Sequence, residues 1–218
     1  MLKPKIPIAH EGCPFIAAAA FLAVIFAIIG WYYLTAIAVL AAFFITWFFR
    51  DPERFVPAGD GNIICPADGQ IIVADEVEDA GFTGQKAIKV SIFMNIFNVH
   101  VNRIPINGKV EKIIYRPGRF YSADTEKAAD HNEYCGVVMT AENGQKLAFV
   151  QVAGLIARRI VCWLEQGDEV KAGRRYGLIR FGSRVDLYLP CSARVLVKIG
   201  QKVKAGETII ATLTGTGG

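Results

Sequence analysis

From Pro14 to Phe49 the chain runs 36 residues without a charged side chain. A single bilayer-spanning helix needs about 20 apolar residues. The run is therefore read as two short helices broken near Gly30-Trp31-Tyr32-Tyr33, or as one tilted span with an interfacial extension. It is too long for a signal peptide, and no small-residue cleavage site ends it. Lys3 and Lys5 precede it, and Arg50 and Arg54 follow it. Basic residues favour the cytoplasmic side, so a hairpin with both ends in the cytoplasm fits these flanks. The expected division is a tail (1–13), a membrane anchor (14–49), a linker (50–62) and a domain (63–218) that faces the cytoplasm at the cell's inner membrane. Trp31, Tyr32, Tyr33, Trp47, Phe48 and Phe49 are the expected interfacial aromatics.

After Ile63 the text becomes short β-branched and aromatic runs punctuated by glycine. They lie at Ile63–Cys65, Gln70–Ala74, Ala87–Phe93, Lys109–Tyr115, Gly136–Thr140, Lys146–Val152, Glu169–Val170 and Arg194–Ile199, with one longer strand-like run from Tyr176 to Pro190. Ala153–Leu164 is open between strand and short helix. Gly167-Asp-Glu-Val-Lys-Ala-Gly173 recurs as Gly200-Gln-Lys-Val-Lys-Ala-Gly206, each copy followed by an apolar strand. The expected fold is mostly β: a compact β-sandwich with biotinyl/lipoyl-like hairpin elements behind an α-helical N-terminal hairpin.

The net charge is +4, and Arg184, Arg194, Lys198, Lys202 and Lys204 contribute much of the excess. A basic surface beside a membrane anchor suits anionic lipid headgroups. No nucleic-acid-binding motif is present. Five scattered cysteines (13, 65, 135, 162 and 191) form no CxxC or Cys/His cluster, so they are read as reduced thiols and no metal site is expected.

Within the Tyr176–Pro190 run stands Phe181-Gly-Ser-Arg184. Glycine inside a strand weakens it and marks a close backbone approach. Its carbonyl is also open to attack by the next residue's hydroxyl. The Gly182–Ser183 bond is accordingly read as one the chain cuts in itself. No Gly-x-Ser-x-Gly elbow surrounds Ser183, so a hydrolase is not indicated. Self-cleavage needs a base for the serine proton and a group to orient that base. The histidines are His10, His100 and His131. His100 ends an apolar run among polar residues in Asn98-Val-His-Val-Asn-Arg103. Asp68, in Pro66-Ala-Asp-Gly69, is either a turn former or a carboxylate that holds a histidine tautomer.

Pro66-Ala-Asp-Gly69, Asn98-Val-His-Val-Asn-Arg103 with Pro105, and Phe181-Gly-Ser-Arg184, in that order behind an apolar N-terminus, resemble the phosphatidylserine decarboxylase proenzymes. The likeness is greatest to their short bacterial and archaeal subfamily and covers nearly the whole chain. The long subfamily has Leu-Gly-Ser-Thr at the cut and a second histidine, where this chain has Arg103. The resemblance implies that Asp68 orients His100, and that His100 takes the Ser183 proton. Ser183 then attacks the Gly182 carbonyl, giving a β chain (1–182) and an α chain (183–218). Residue 183 becomes a covalent pyruvoyl cofactor, an electron sink of the kind pyridoxal phosphate supplies. The implied substrate is phosphatidylserine in the bilayer, the product phosphatidylethanolamine. Arg103, Arg119 and Arg184 are the expected lipid-phosphate contacts, and a homodimer through an exposed strand edge is open. Two other readings use the same hairpins. One is a membrane-anchored lipoyl-like adaptor without catalysis. The other is a biotin or lipoate carrier, although neither Val-Lys-Ala-Gly copy has the flanking methionine of such carriers.

Overall fold

The computed structural model describes residues 7–79, 81–118, 132–154, 159–180 and 183–213. The chain divides into two compact units, Met1–Glu53 and Arg54–Gly218.

The first unit is a helical hairpin. α1 (Cys13–Ile29) ends at Gly30, whose φ of 83° is the left-handed conformation that closes helices, and α2 (Tyr32–Phe48) packs back against it. The segment His10–Ile29 is long and apolar enough to cross a membrane. Of the aromatics expected at an interface, Trp31, Tyr32, Tyr33 and Trp47 are exposed, whereas Phe48 and Phe49 are buried. Phe49 stacks on Phe15 with ring centroids 5.9 Å apart. Arg50 lies over the Trp47 ring and donates to the Trp47 carbonyl.

The second unit is all strand among its described residues. In chain order these are β1 (Asn62–Ile64), β2 (Gly69–Asp79), β3 (Gln85–Met94), β4 (Val101–Arg103), β5 (Gly108–Arg116), β6 (Tyr134–Ala141) and β7 (Lys146–Ala153). They continue with β8 (Ile160–Cys162), β9 (Glu169–Val170), β10 (Arg175–Ile179), β11 (Ser183–Pro190), β12 (Ala193–Val195), β13 (Lys202–Val203) and β14 (Ile209–Leu213). An eight-stranded antiparallel sheet runs β13-β2-β3-β11-β7-β6-β5-β9, and two three-stranded sheets run β1-β14-β12 and β4-β10-β8. Ile92, Val137, Leu147, Phe149, Val185 and Leu187 are among the fully buried side chains of one continuous core.

The two Val-Lys-Ala-Gly copies form the two edges of the large sheet, β9 and β13, and both end in a glycine at φ 76°. The repeat extends to the whole unit. In β1–β14 the pairs are Asn62↔Thr212, Ile63↔Ala211 and Ile64↔Ile209; in β4–β10 they are Val101↔Leu178, Asn102↔Gly177 and Arg103↔Arg175, with the irregularity at the same step. β2 and β5 each slip register after their third residue, at Ile71 and Val110. A pseudo-twofold axis thus passes between the central strands β7 and β11. It relates Pro66-Ala-Asp-Gly69 to Pro105-Ile-Asn-Gly108.

One sequence expectation needs revision. Tyr176–Pro190 is not one strand: β10 belongs to a small sheet and β11 to the middle of the large one. Local β propensity does not record which sheet a strand joins.

Candidate active site

The register of the large sheet builds the site. Ser183, the first residue of β11, pairs with Met94 on one side and Ala153 on the other. Successive side chains of a strand alternate between faces. Ser183 therefore shares the core face with Val185, Leu187 and Leu189, while Arg184 and Asp186 point to the opposite face. The Ser183 hydroxyl is buried and has no hydrogen-bond partner among the described residues. A buried polar atom left so costs about 1–3 kcal/mol, which the fold alone gives no reason to bear. Gly182 lies outside the described residues.

His100 is not at the end of the β3 run as its sequence suggests. It follows the Asn95–Asn98 turn and leads directly into β4. It is 2% exposed. Its Nδ1 lies 3.0 Å from the Asn98 carbonyl oxygen. A carbonyl only accepts, so Nδ1 carries a proton, and in the neutral imidazole the lone pair is then on Nε2. The His100 carbonyl accepts the Ile179 N–H, four residues before Ser183, so at most about 14 Å of extended chain separates that contact from Ser183. Asn102, two residues after His100, donates to Met94 Sδ at 3.7 Å, and Met94 is the strand partner of Ser183. Two independent connections thus bring the His100 strand to Ser183.

Asp68 sits at the same end of the large sheet, because Gln70 pairs with Phe93 and Phe93 pairs with Arg184. Its carboxylate is fully engaged elsewhere. Oδ2 takes the Arg54 guanidinium at 2.9 Å, and Oδ1 accepts the Ala205 N–H at 2.8 Å. Arg54 also reaches Glu207 at 3.3 Å. The structure thus gives His100 its tautomer through Asn98, and gives Asp68 to Arg54 and Ala205. Arg54, read from sequence as a charge flanking the apolar run, is spent on Asp68. Its nonlocal partner left no local signal.

The three expected phosphate contacts part company. Arg103 is buried and donates to the Gly173 carbonyl at 2.9 Å, its stem against Gly206. Arg184 is buried and grips Asp186 with both Nε (2.7 Å) and Nη2 (2.9 Å). Arg119 lies outside the described residues, as does His131. No cluster of metal-ligating side chains is present among the described residues.

The cysteines are free thiols. Cys135 and Cys162 hydrogen-bond to each other between β6 and β8, which holds the Cys162 thiol down at about 7 and pushes Cys135 up. Burial pushes Cys65 up to about 12.

The sequence profile of the phosphatidylserine decarboxylases matches residues 40–211. A protein named phosphatidylserine decarboxylase proenzyme from Desulfotalea psychrophila is 58% identical over 213 residues, covering 98% of this chain and 100% of that one. Proteins of the same name from Syntrophus aciditrophicus and Nitratidesulfovibrio vulgaris are each 48% identical, over 94% and 97% of this chain and 97% of their own lengths. With the match reaching into both units and covering Asp68, His100 and Ser183, the chain belongs to the phosphatidylserine decarboxylase family.

Proposed function

We propose that this chain cuts its own Gly182–Ser183 bond and then decarboxylates phosphatidylserine to phosphatidylethanolamine. It is an enzyme of a decarboxylase family, which sets aside the adaptor and carrier readings. The observation that carries the cleavage is the buried hydroxyl of Ser183, without a hydrogen-bond partner among the described residues, at the point where the chain has left one sheet and begins the middle strand of another.

In this reading His100 Nε2 takes the Ser183 Oγ proton, and Oγ attacks the Gly182 carbonyl carbon. The C–N bond breaks, the nitrogen takes the proton back from His100, and an ester replaces the amide. Loss of the Ser183 Cα proton expels the Gly182 carboxylate from Cβ. Water then releases ammonia and leaves a keto group at residue 183. The surroundings fit such a group: residue 183 lies buried on the core face, beside Met94 and Ala153. The pyruvoyl group supplies a carbonyl that serves as an electron sink for carboxylate loss. His100 is the acid that returns a proton to the product.

Asp68, held by Arg54 and Ala205 at the same end of the large sheet as Ser183, supports His100 through its negative charge in this reading. The helical unit holds the enzyme at the membrane, with the strand unit on the cytoplasmic side, so that its lipid substrate need not leave the bilayer.

A denaturing gel with intact mass tests this. Two pieces are expected, residues 1–182 and a small 183–218 fragment with a blocked amino terminus, and Ser183→Ala abolishes both cleavage and turnover. Active protein that remains a single full-length chain overturns the reading.

A further inference from the structure

Two amides lie in the core beside Ser183. Asn102 and Gln151 are both wholly buried, and Gln151 Nε2 donates to Asn102 Oδ1 at 2.9 Å. Asn102 sits on β4, two residues after His100, and contacts Met94, the strand partner of Ser183. Gln151 sits on β7 opposite Val185, diagonal to Ser183 and on the same core face. Gln151 Oε1 has no hydrogen-bond partner among the described residues.

The pseudo-twofold axis supplies an internal control. The positions equivalent to Asn102 and Gln151 are Ile63 and Leu189, both fully buried. The architecture therefore fills the same space with hydrocarbon where no chemistry is performed. Room is also set aside for the amides. A Cβ at Gly177 would come within 3.1 Å of Gln151 Nε2 and 2.1 Å of the Val161 carbonyl. An unmet amide oxygen, buried and held by a neighbour, calls for a donor. The Ser183 hydroxyl has no hydrogen-bond partner among the described residues, so it does not fill that role, and in the reading above it is lost on maturation.

We propose that Gln151, held in place by Asn102, accepts a hydrogen bond from the primary amino group of the substrate as it meets residue 183, making Gln151 a specificity-determining residue. The proposal rests on the reading of residue 183 given above. Diagonal positions on adjacent strands are about 7–8 Å apart, which a glutamine side chain spans to reach an amine placed at its neighbour. An amide oxygen attracts an ammonium and repels a carboxylate, so the same contact turns the headgroup carboxylate away from Gln151.

The test uses the processed full-length protein in detergent micelles with phosphatidylserine. Cyanoborohydride joins a bound amine to the keto terminus with loss of water, and the adduct is read as added mass on the small chain. Gln151→Met keeps the volume without the acceptor, and Gln151→Glu restores an acceptor. Both are expected to cleave at residue 183. Gln151→Met should trap the lipid about tenfold to a hundredfold more slowly, as for loss of one bond to a charged group, with Gln151→Glu recovering it. Wild-type trapping by Gln151→Met overturns the proposal. So does a natively folded Gln151→Met chain that fails to cleave, because the pair then serves maturation. Should Gln151→Met not fold, Asn102→Leu releases Gln151 from its support; slowed trapping is expected, and wild-type trapping overturns the proposal. A wild-type chain that never yields a small fragment instead sinks the reading of residue 183, and this inference with it.

Discussion

Asp68 Oδ1 accepts the backbone N–H of Ala205 at 2.8 Å, and the pseudo-symmetric half repeats the bond at 2.9 Å between Asn107 Oδ1 and the Ala172 N–H. That contact therefore belongs to the framework, and a neutral side chain makes it equally well. What Asp68 adds is a negative charge and the Arg54 guanidinium.

Asp68→Asn should consequently fold. It keeps the Ala205 bond and leaves Arg54 with Glu207, so a loss of about 1–2 kcal/mol is expected in denaturant unfolding. Cleavage at residue 183 should stop or slow severely, as seen by the small fragment on a gel. A wild-type cleavage rate would show that the carboxylate acts only as a turn former.

Arg54→Ala should be the more damaging change. The ion pair is nearly closed to solvent, with side-chain exposures of 9% and 11%. Removing one partner strands a buried carboxylate, at a cost of about 3 kcal/mol. Arg54→Lys should recover part of the stability but not the two-pronged contact with Asp68 and Glu207. Chemical denaturation of the three proteins provides the comparison.

Arg184 and Asp186 allow a double-mutant cycle. Each side chain is no more than 3% exposed, and Lys89 lies 3.5 Å from Asp186 as the nearest alternative cation. Arg184→Met alone is expected to cost about 3 kcal/mol, and Arg184→Met with Asp186→Leu clearly less. If Arg184 binds lipid phosphate, its replacement will also raise KM for phosphatidylserine; a purely structural arginine changes stability alone.

Among Cys65, Cys135 and Cys162, Cys162 should be alkylated first. Its thiol is held at about 7 by the Cys135 hydrogen bond, so its thiolate fraction and its iodoacetamide reactivity rise as pH passes upward through that value. Cys65, pushed up to about 12 by burial, should stay unlabelled across the same range. Peptide mass mapping after timed labelling distinguishes them.

The sequence revealed the features that repeat locally. The glycine break between two helices, the Val-Lys-Ala-Gly echo and the Gly-Ser step are all short-range patterns. It concealed features that depend on partners far along the chain. Arg54 sits in a charged stretch that resembles a linker, and nothing nearby announces Asp68. Gln151 did carry a signal. Leu147, Phe149 and Ala153 alternate with it on the core face of β7, and a polar residue at such a period-two position invites a functional question. The link between the halves needed strand registers, because only a few of the equivalent positions keep the same residue.

The placement of β11 governs what scission leaves behind. Eight consecutive residues of this strand pair with β3, and six of them also pair with β7. A break just ahead of Ser183 thus releases a chain terminus without opening a new sheet border. The two polypeptides should copurify through high salt and dilution, and come apart only when the whole strand unit melts.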